Sequence, residues 1–186
     1  MRRSSFPDAP DLRRSNKTRS YLQTSGIGLK WRAMLASVTR LRVRSLKYLP
    51  AFVWETFLSQ RQALRASGFL GGRLLLDAHR TFWTLTEWES ERAMKGFRGT
   101  APHAKVMPRL VEWCDEASYA HWTPTDASLP SWPEAYQHLV AEGRLSRVAH
   151  PSPAHDAREF AKPRLRPLIA LDLKPRRRGS SRNPPV

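Results

Sequence analysis

Cysteine is nearly missing from this chain of 186 residues, which carries only Cys114. An internal disulfide is therefore excluded, and with no Cys or His cluster at ligand spacing nearby a structural zinc site is not expected. A reducing, cytoplasmic compartment fits this cysteine usage. Long apolar runs are lacking too: none approaches the roughly 18 residues that a membrane span requires. The positively charged start has no apolar segment leading to a small-residue cleavage site, and Asp8, Asp11 and two nearby prolines speak against a transit peptide. The motifs of several chemistries are absent. There is no G-x-S-x-G elbow for a serine nucleophile, and "GFLGG" lacks the Lys-Ser/Thr that completes a phosphate-cradling loop. Cys114 stands beside Asp115 and Glu116, surroundings that raise a thiol pKa and keep it unreactive.

What is present is positive charge and aromatic bulk. The formal net charge is +16, with seven tryptophans and 40% apolar residues, enough for a real core in one domain. Residues 1–36 hold 8 Lys/Arg against 2 acids, residues 37–153 hold 15 against 11, and residues 154–186 hold 9 against 3. Three quarters of the excess thus lies in the two ends. Their Arg, Ser and Pro content cannot bury enough apolar surface to offset the entropy of ordering, so 1–36 and 154–186 are expected to be flexible basic segments around a domain at 37–153. Weak, non-specific binding to nucleic acid or acidic surfaces is the expected property of such ends. Met34 stands just before the first strand pattern, and translation starting there would make residues 1–33 an extension; the intact mass of protein made from the native gene tests this.

Within the domain, "SVTRLRVRS" (37–45) alternates with period two, Leu41 and Val43 against Arg40, Arg42 and Arg44, and reads as a strand. Pro50 opens a helix over 51–66 with Val53, Trp54, Phe57, Leu58 and Leu64 as its expected inner stripe, stopped by Gly68. Two strands follow at 72–77 and 81–87, joined by a polar turn. Ser90 is an N-cap for a short helix that Gly99 ends, and Pro102 begins a second helical piece. "SYAHW" (118–122) is a further strand, and "SWPEAYQHLVAEG" a capped helix with Trp132, Tyr136, Leu139 and Val140 on one side, followed by a possible edge strand in "RLSRV". The order β-α-β-β-α-β predicts an α+β fold of the ferredoxin-like, split β-α-β kind: a four-stranded antiparallel sheet with its helices on one face. The bare second face would be covered by a second copy, giving a homodimer.

The stretches "GFLGGRLLLD", "FWTLTEWESERAMKGF" and "GTAPHAKVMPRLVEW" resemble the antibiotic-biosynthesis-monooxygenase-like superfamily of dimeric α+β barrels. The segment W-x-S-x-x-A-M-x-x-F followed by P-H-A is also similar to the spheroidene monooxygenase family. The resemblance covers about residues 37–122 and implies a pocket between helices and sheet, taking a flat apolar or phenolic small molecule, with haem or with no cofactor. It is more specific for the fold than for a reaction, because such barrels host oxygenases, haem proteins and non-catalytic members. A non-catalytic binding or accessory protein is the rival expectation. The haem-degrading branch has an Asn near the start of its first strand; here only Asn16 and Asn183 occur, in the ends, so that activity is not carried over.

His103 is the leading candidate for chemistry, as a base near neutral pH or as an axial haem ligand, and it matches the Pro-His-Ala of the look-alikes. By parity Trp83 shares a strand face with Leu85 and Glu87, whereas Thr84, Thr86 and Trp88 share the other; either wall could hold a flat ligand. The row Arg40, Arg42, Arg44 needs anionic partners if it is covered: Glu87, Asp77, or ligand carboxylates such as haem propionates. Tyr119 and His121 form a second aromatic-imidazole group. His79, His138, His150 and His155 are given no role.

Overall fold

The computed structural model describes residues 34–77, 79–125, 128–163 and 169–175. The central sheet is antiparallel throughout and is built from β1 (Leu35–Val43), β2 (Phe69–Asp77), β3 (Thr81–Trp88) and β4 (Cys114–Trp122) in the order β4-β1-β3-β2. This is the order that a split β-α-β chain path produces, and the α+β class follows from it. Two short strands extend the four-stranded sheet, the first of them in the "RLSRV" stretch read from sequence as an edge strand. β5 (Arg144–Leu145) pairs with β4, and β6 (Ile169–Leu173) pairs with β2 at the opposite edge.

On one face lie α1 (Leu49–Ala63), α2 (Glu91–Arg98) and α3 (His103–Trp113). Pro50 sits in the first turn of α1, where its missing N–H costs nothing. Gly68, at φ +80°, turns the chain from α1 into β2, and a side chain there would also meet Ala93. Ser90 caps α2, its hydroxyl accepting from Ala93 N–H at 3.2 Å.

The other face is covered by the chain itself, which corrects the expectation of helices on one side only. α4 (Trp132–Glu142), started by a capping box between Ser131 and Glu134, lays Ala135 and Leu139 against Ala36, Val38, Leu75, Trp83, Leu85, Ala120 and Trp122. The face assigned to a second copy is thus buried within one chain.

Two further expectations change. The 154–186 segment was expected to be a flexible tail, yet α5 (Pro153–Asp156) packs on β4 with His155 buried, and β6 completes the sheet. Residues 1–33 and 176–186, where the most basic stretches occur, lie outside the described residues. In α1 the buried residues are Phe52 and Ala63, whereas Val53, Trp54 and Phe57 face outward. The helix is rotated about one residue from the expected stripe because its inner side borders a cavity and carries Thr56 and Ser59 there.

Candidate functional site

The two-residue period of the central strands sends alternate side chains to opposite faces, and the register sets the floor of the site. On the face below α1–α3, Thr39 stands between Thr84 and Tyr119, and Ser37 between Thr86 and His121. Two cross-strand rows, each of three polar residues, therefore run across β3, β1 and β4. Above them α1, α2 and α3 enclose a cavity of about 350 Å³, at the small end of the range for ligand sites. Its remaining wall is mainly apolar, from Leu41, Phe52, Leu74, Trp88, Met94, Phe97, Val106 and Leu110.

His103 opens α3 at the cavity wall. Its backbone N–H donates to Gln62 Oε1 at 2.8 Å, and Gln62 Nε2 in turn donates to Phe97 O at 2.9 Å and Thr100 Oγ1 at 2.8 Å. Gln62 of α1 thus ties down the turn between α2 and α3. The imidazole lies against Phe97, ring centres 4.7 Å apart, and Phe97 stacks on Trp88 at 5.1 Å. Trp88 is held by its Nε1–H, which donates to Thr86 Oγ1 at 3.0 Å. His103 Nδ1 is buried with no hydrogen-bond partner. Burial pushes the His103 pKa below its ordinary 6.5, and the Arg98 charge adds to this while a backbone hydrogen bond with Arg98 opposes it. His121 is also shifted down, first by burial and then by Arg98. Both imidazoles are neutral near pH 7.

Of the residues singled out from sequence, the structure brings His103, Thr84, Thr86, Trp88, Tyr119 and His121 to this one cavity. It does not bring Trp83, Arg40, Arg42 or Arg44. Trp83 lies in the core under α4. Arg40, whose guanidinium stands 5.6 Å from the Trp83 ring, is on that same face and pairs with Glu116. Arg42 forms a bidentate pair with Asp115 at 2.8 and 2.9 Å and reaches Glu116 Oε1 at 2.6 Å. A register shift between Arg42 and Val43 presents both acids to the arginines. Arg44 donates to Glu112 O and to the Tyr48 hydroxyl. The expected partners Glu87 and Asp77 are thus replaced by Glu116 and Asp115.

The guanidiniums assigned to haem propionates are therefore committed to protein groups away from the cavity, and the residues present do not make the expected haem site. Among the described residues no group of three or more His, Cys, Asp or Glu could hold a metal ion. Cys114 is buried, and burial with the Asp115 charge pushes its pKa up to about 12, so it is no nucleophile. Sequence reading missed Ser37, Thr39 and Gln62. The first two were legible in principle, since they share the period-two face of Leu41. Gln62 carried no signal, because its role depends on a contact 41 residues away.

No family model matches the chain, and no curated protein matches it. Solved structures do resemble it. A conserved protein from Methanosarcina mazei Go1 shares 14% identity at a TM-score of 0.46, covering 50% of this chain and 95% of that one. Rv0793 from Mycobacterium tuberculosis shares 16% at 0.47, covering 51% and 99%. A variant of SnoaB, a cofactor-independent oxygenase from Streptomyces nogalater, shares 16% at 0.43, covering 53% and 99%. These are likenesses of chain path over about half of this chain, and no activity passes from them.

Proposed function

We propose that this protein binds a flat, largely apolar molecule bearing a phenolic hydroxyl in the cavity under α1–α3 and promotes its oxidation by dioxygen without haem. The observation that carries this reading is the imidazole of His103, pushed toward its neutral form by burial, in the mainly apolar wall of a cavity. A neutral imidazole has one acceptor nitrogen, and a phenol O–H is a matching donor. The packed series Trp88, Phe97 and His103 gives the ring a stiff aromatic wall to lie against. The rows Thr84–Thr39–Tyr119 and Thr86–Ser37–His121 supply the few polar groups that orient it.

His103 accepts the phenolic proton, which leaves an electron-rich phenolate in a site from which the apolar wall excludes water. Electrons then pass from substrate to dioxygen. In a monooxygenation of a ring CH2 to C=O, one oxygen atom stays in the product and the other leaves as water, so the substrate supplies all the electrons and no external reductant is needed.

The test is dioxygen uptake and ligand binding with a panel of hydroxylated polycyclic aromatics, for the parent and His103→Ala. Catalysis by a positioned base is worth roughly 10²–10⁴-fold, so uptake falls by that order in the variant while binding weakens far less. Binding without uptake in either protein would select the non-catalytic binding reading. Haemin titration is expected to give no saturable Soret shift that depends on His103, and such a shift would restore the haem reading.

A further inference from the structure

Among the described residues, none covers the apolar outer face of α1. Val53, Trp54 and Phe57 are 48%, 59% and 43% exposed, although large apolar side chains in a core helix normally point inward. Trp54 and Phe57 lie against each other, ring centres 5.8 Å apart, and Arg61 stands 5.7 Å from the Phe57 ring. Along residues 46–65 the exposed charge has one sign. Lys47, Arg61 and Arg65 are exposed, while the single acid of residues 46–65, Glu55, is turned away and paired with Arg109 at 2.9 Å.

From this we infer that the outer face of α1 is a docking surface for an anionic lipid bilayer. Aromatic and aliphatic side chains on a helix that carries Arg61, with Lys47 just before it and Arg65 just after it, are the chemistry of a segment that lies in the interface of an acidic membrane. Charge complementarity chooses this occupant over a second copy: two such faces brought together would set Lys47, Arg61 and Arg65 against the same cations of the other copy. Attachment is peripheral, because no helix among the described residues is long and apolar enough to cross a membrane. The opposite side of the same helix, through Thr56 and Ser59, walls the cavity. Docking would hold that cavity beside a reservoir of apolar molecules.

The experiment is flotation of the full chain with vesicles of phosphatidylcholine alone and of phosphatidylcholine with phosphatidylglycerol. The parent is expected to float with the anionic vesicles, and the triple variant Val53→Ser, Trp54→Ser, Phe57→Ser to lose about tenfold or more in partitioning, from lost apolar burial. The basic ends are intact in both proteins, so this ratio reports the α1 face alone. Should the triple variant melt at a lower temperature, Arg61→Glu with Arg65→Glu reads the same face and is expected to weaken anionic binding to a similar degree. Trp54→Phe should also lower the quenching of Trp emission by brominated lipid. Equal flotation of parent and variants, or none by the parent, would overturn the inference. Concentration-dependent self-association lost in the triple variant would overturn it in favour of a second copy, and binding to soluble polyglutamate that the triple variant loses equally would overturn it in favour of an acidic polypeptide. None of these outcomes depends on catalysis in the cavity.

Discussion

At the scale of single residues, burial decides which groups are charged. His103 and His121 both have pKa values shifted below 6.5, chiefly because the cationic form loses hydration. Their imidazole resonances are expected to titrate with midpoints below that value in an NMR pH series, and a midpoint above it for His103 would remove the neutral base from the site. The consequence for stability has a definite sign. Well above pH 6.5 both groups are neutral in the folded and the unfolded chain, so neither affects the balance. As pH falls from there, the unfolded chain binds protons first, and stability declines until the folded values are reached. Replacing both histidines by Gln should flatten that part of the pH–stability curve. The pair Arg40–Glu116 is a separate case, its side chains only 5% and 4% exposed. Glu116→Gln leaves a buried guanidinium without its anion and is expected to cost about 3–5 kcal/mol in urea unfolding, whereas Arg40→Met with Glu116→Leu should recover most of it. Equal losses in the single and double variants would show that packing, not charge, is at stake.

The elements were largely legible from the sequence where a local signal existed, and illegible where the deciding contact was distant. Alternation in β1 and β3 and the Ser90 and Ser131 caps are properties of a few neighbouring residues, and the structure places each as the pattern implied, whereas α1 ends at Ala63 and Gly68 serves the later turn into β2. β4 was harder. Its first residues, Cys114, Asp115 and Glu116, were left out of the expected 118–122 strand; Asp115 and Glu116 have poor strand propensity and are held there by Arg40 and Arg42 of β1, while Cys114 packs with Val43 and Phe52. The α1 stripe was misread for a related reason. Apolar weight marks the buried side of a helix only when that side packs on a core, and here it faces a cavity that needs Thr56 and Ser59, while Trp54 is left outside. β6 was hidden inside a composition that resembles disorder, because its pairing with Gly72 through Leu76 is a long-range fact. The same division holds at the site. Parity separated Trp83 from Trp88, but only tertiary contacts could show Gln62 holding His103.

For the whole molecule, the second face of the sheet matters most. A bare face lined by Val38, Trp83, Leu85 and Trp122 would demand a partner, and dimerisation through it was the natural expectation from four strands and two helices. The chain instead folds its own C-terminal part back. α4 supplies Ala135 and Leu139, with Trp132, Tyr136 and Phe160 packed around them, and the Tyr136 hydroxyl donates to Phe160 O at 2.9 Å. Ser152 and His155 then fasten the following segment to β4: Ser152 Oγ donates to Glu116 Oε1 at 3.0 Å, and Ala117 N–H donates to His155 Nδ1 at 3.4 Å. With that face closed and a charge of +16 opposing association, the protein is expected to sediment as a single chain at micromolar concentration. Leu139→Ala with Trp132→Ala should loosen the cover, at a cost of several kcal/mol for the buried leucine and the partly buried indole together. The sheet face would then be intermittently exposed. Sedimentation velocity across a concentration series should show self-association in this variant and not in the parent; a two-chain mass for the parent would contradict the account of α4 as the built-in substitute for a second copy.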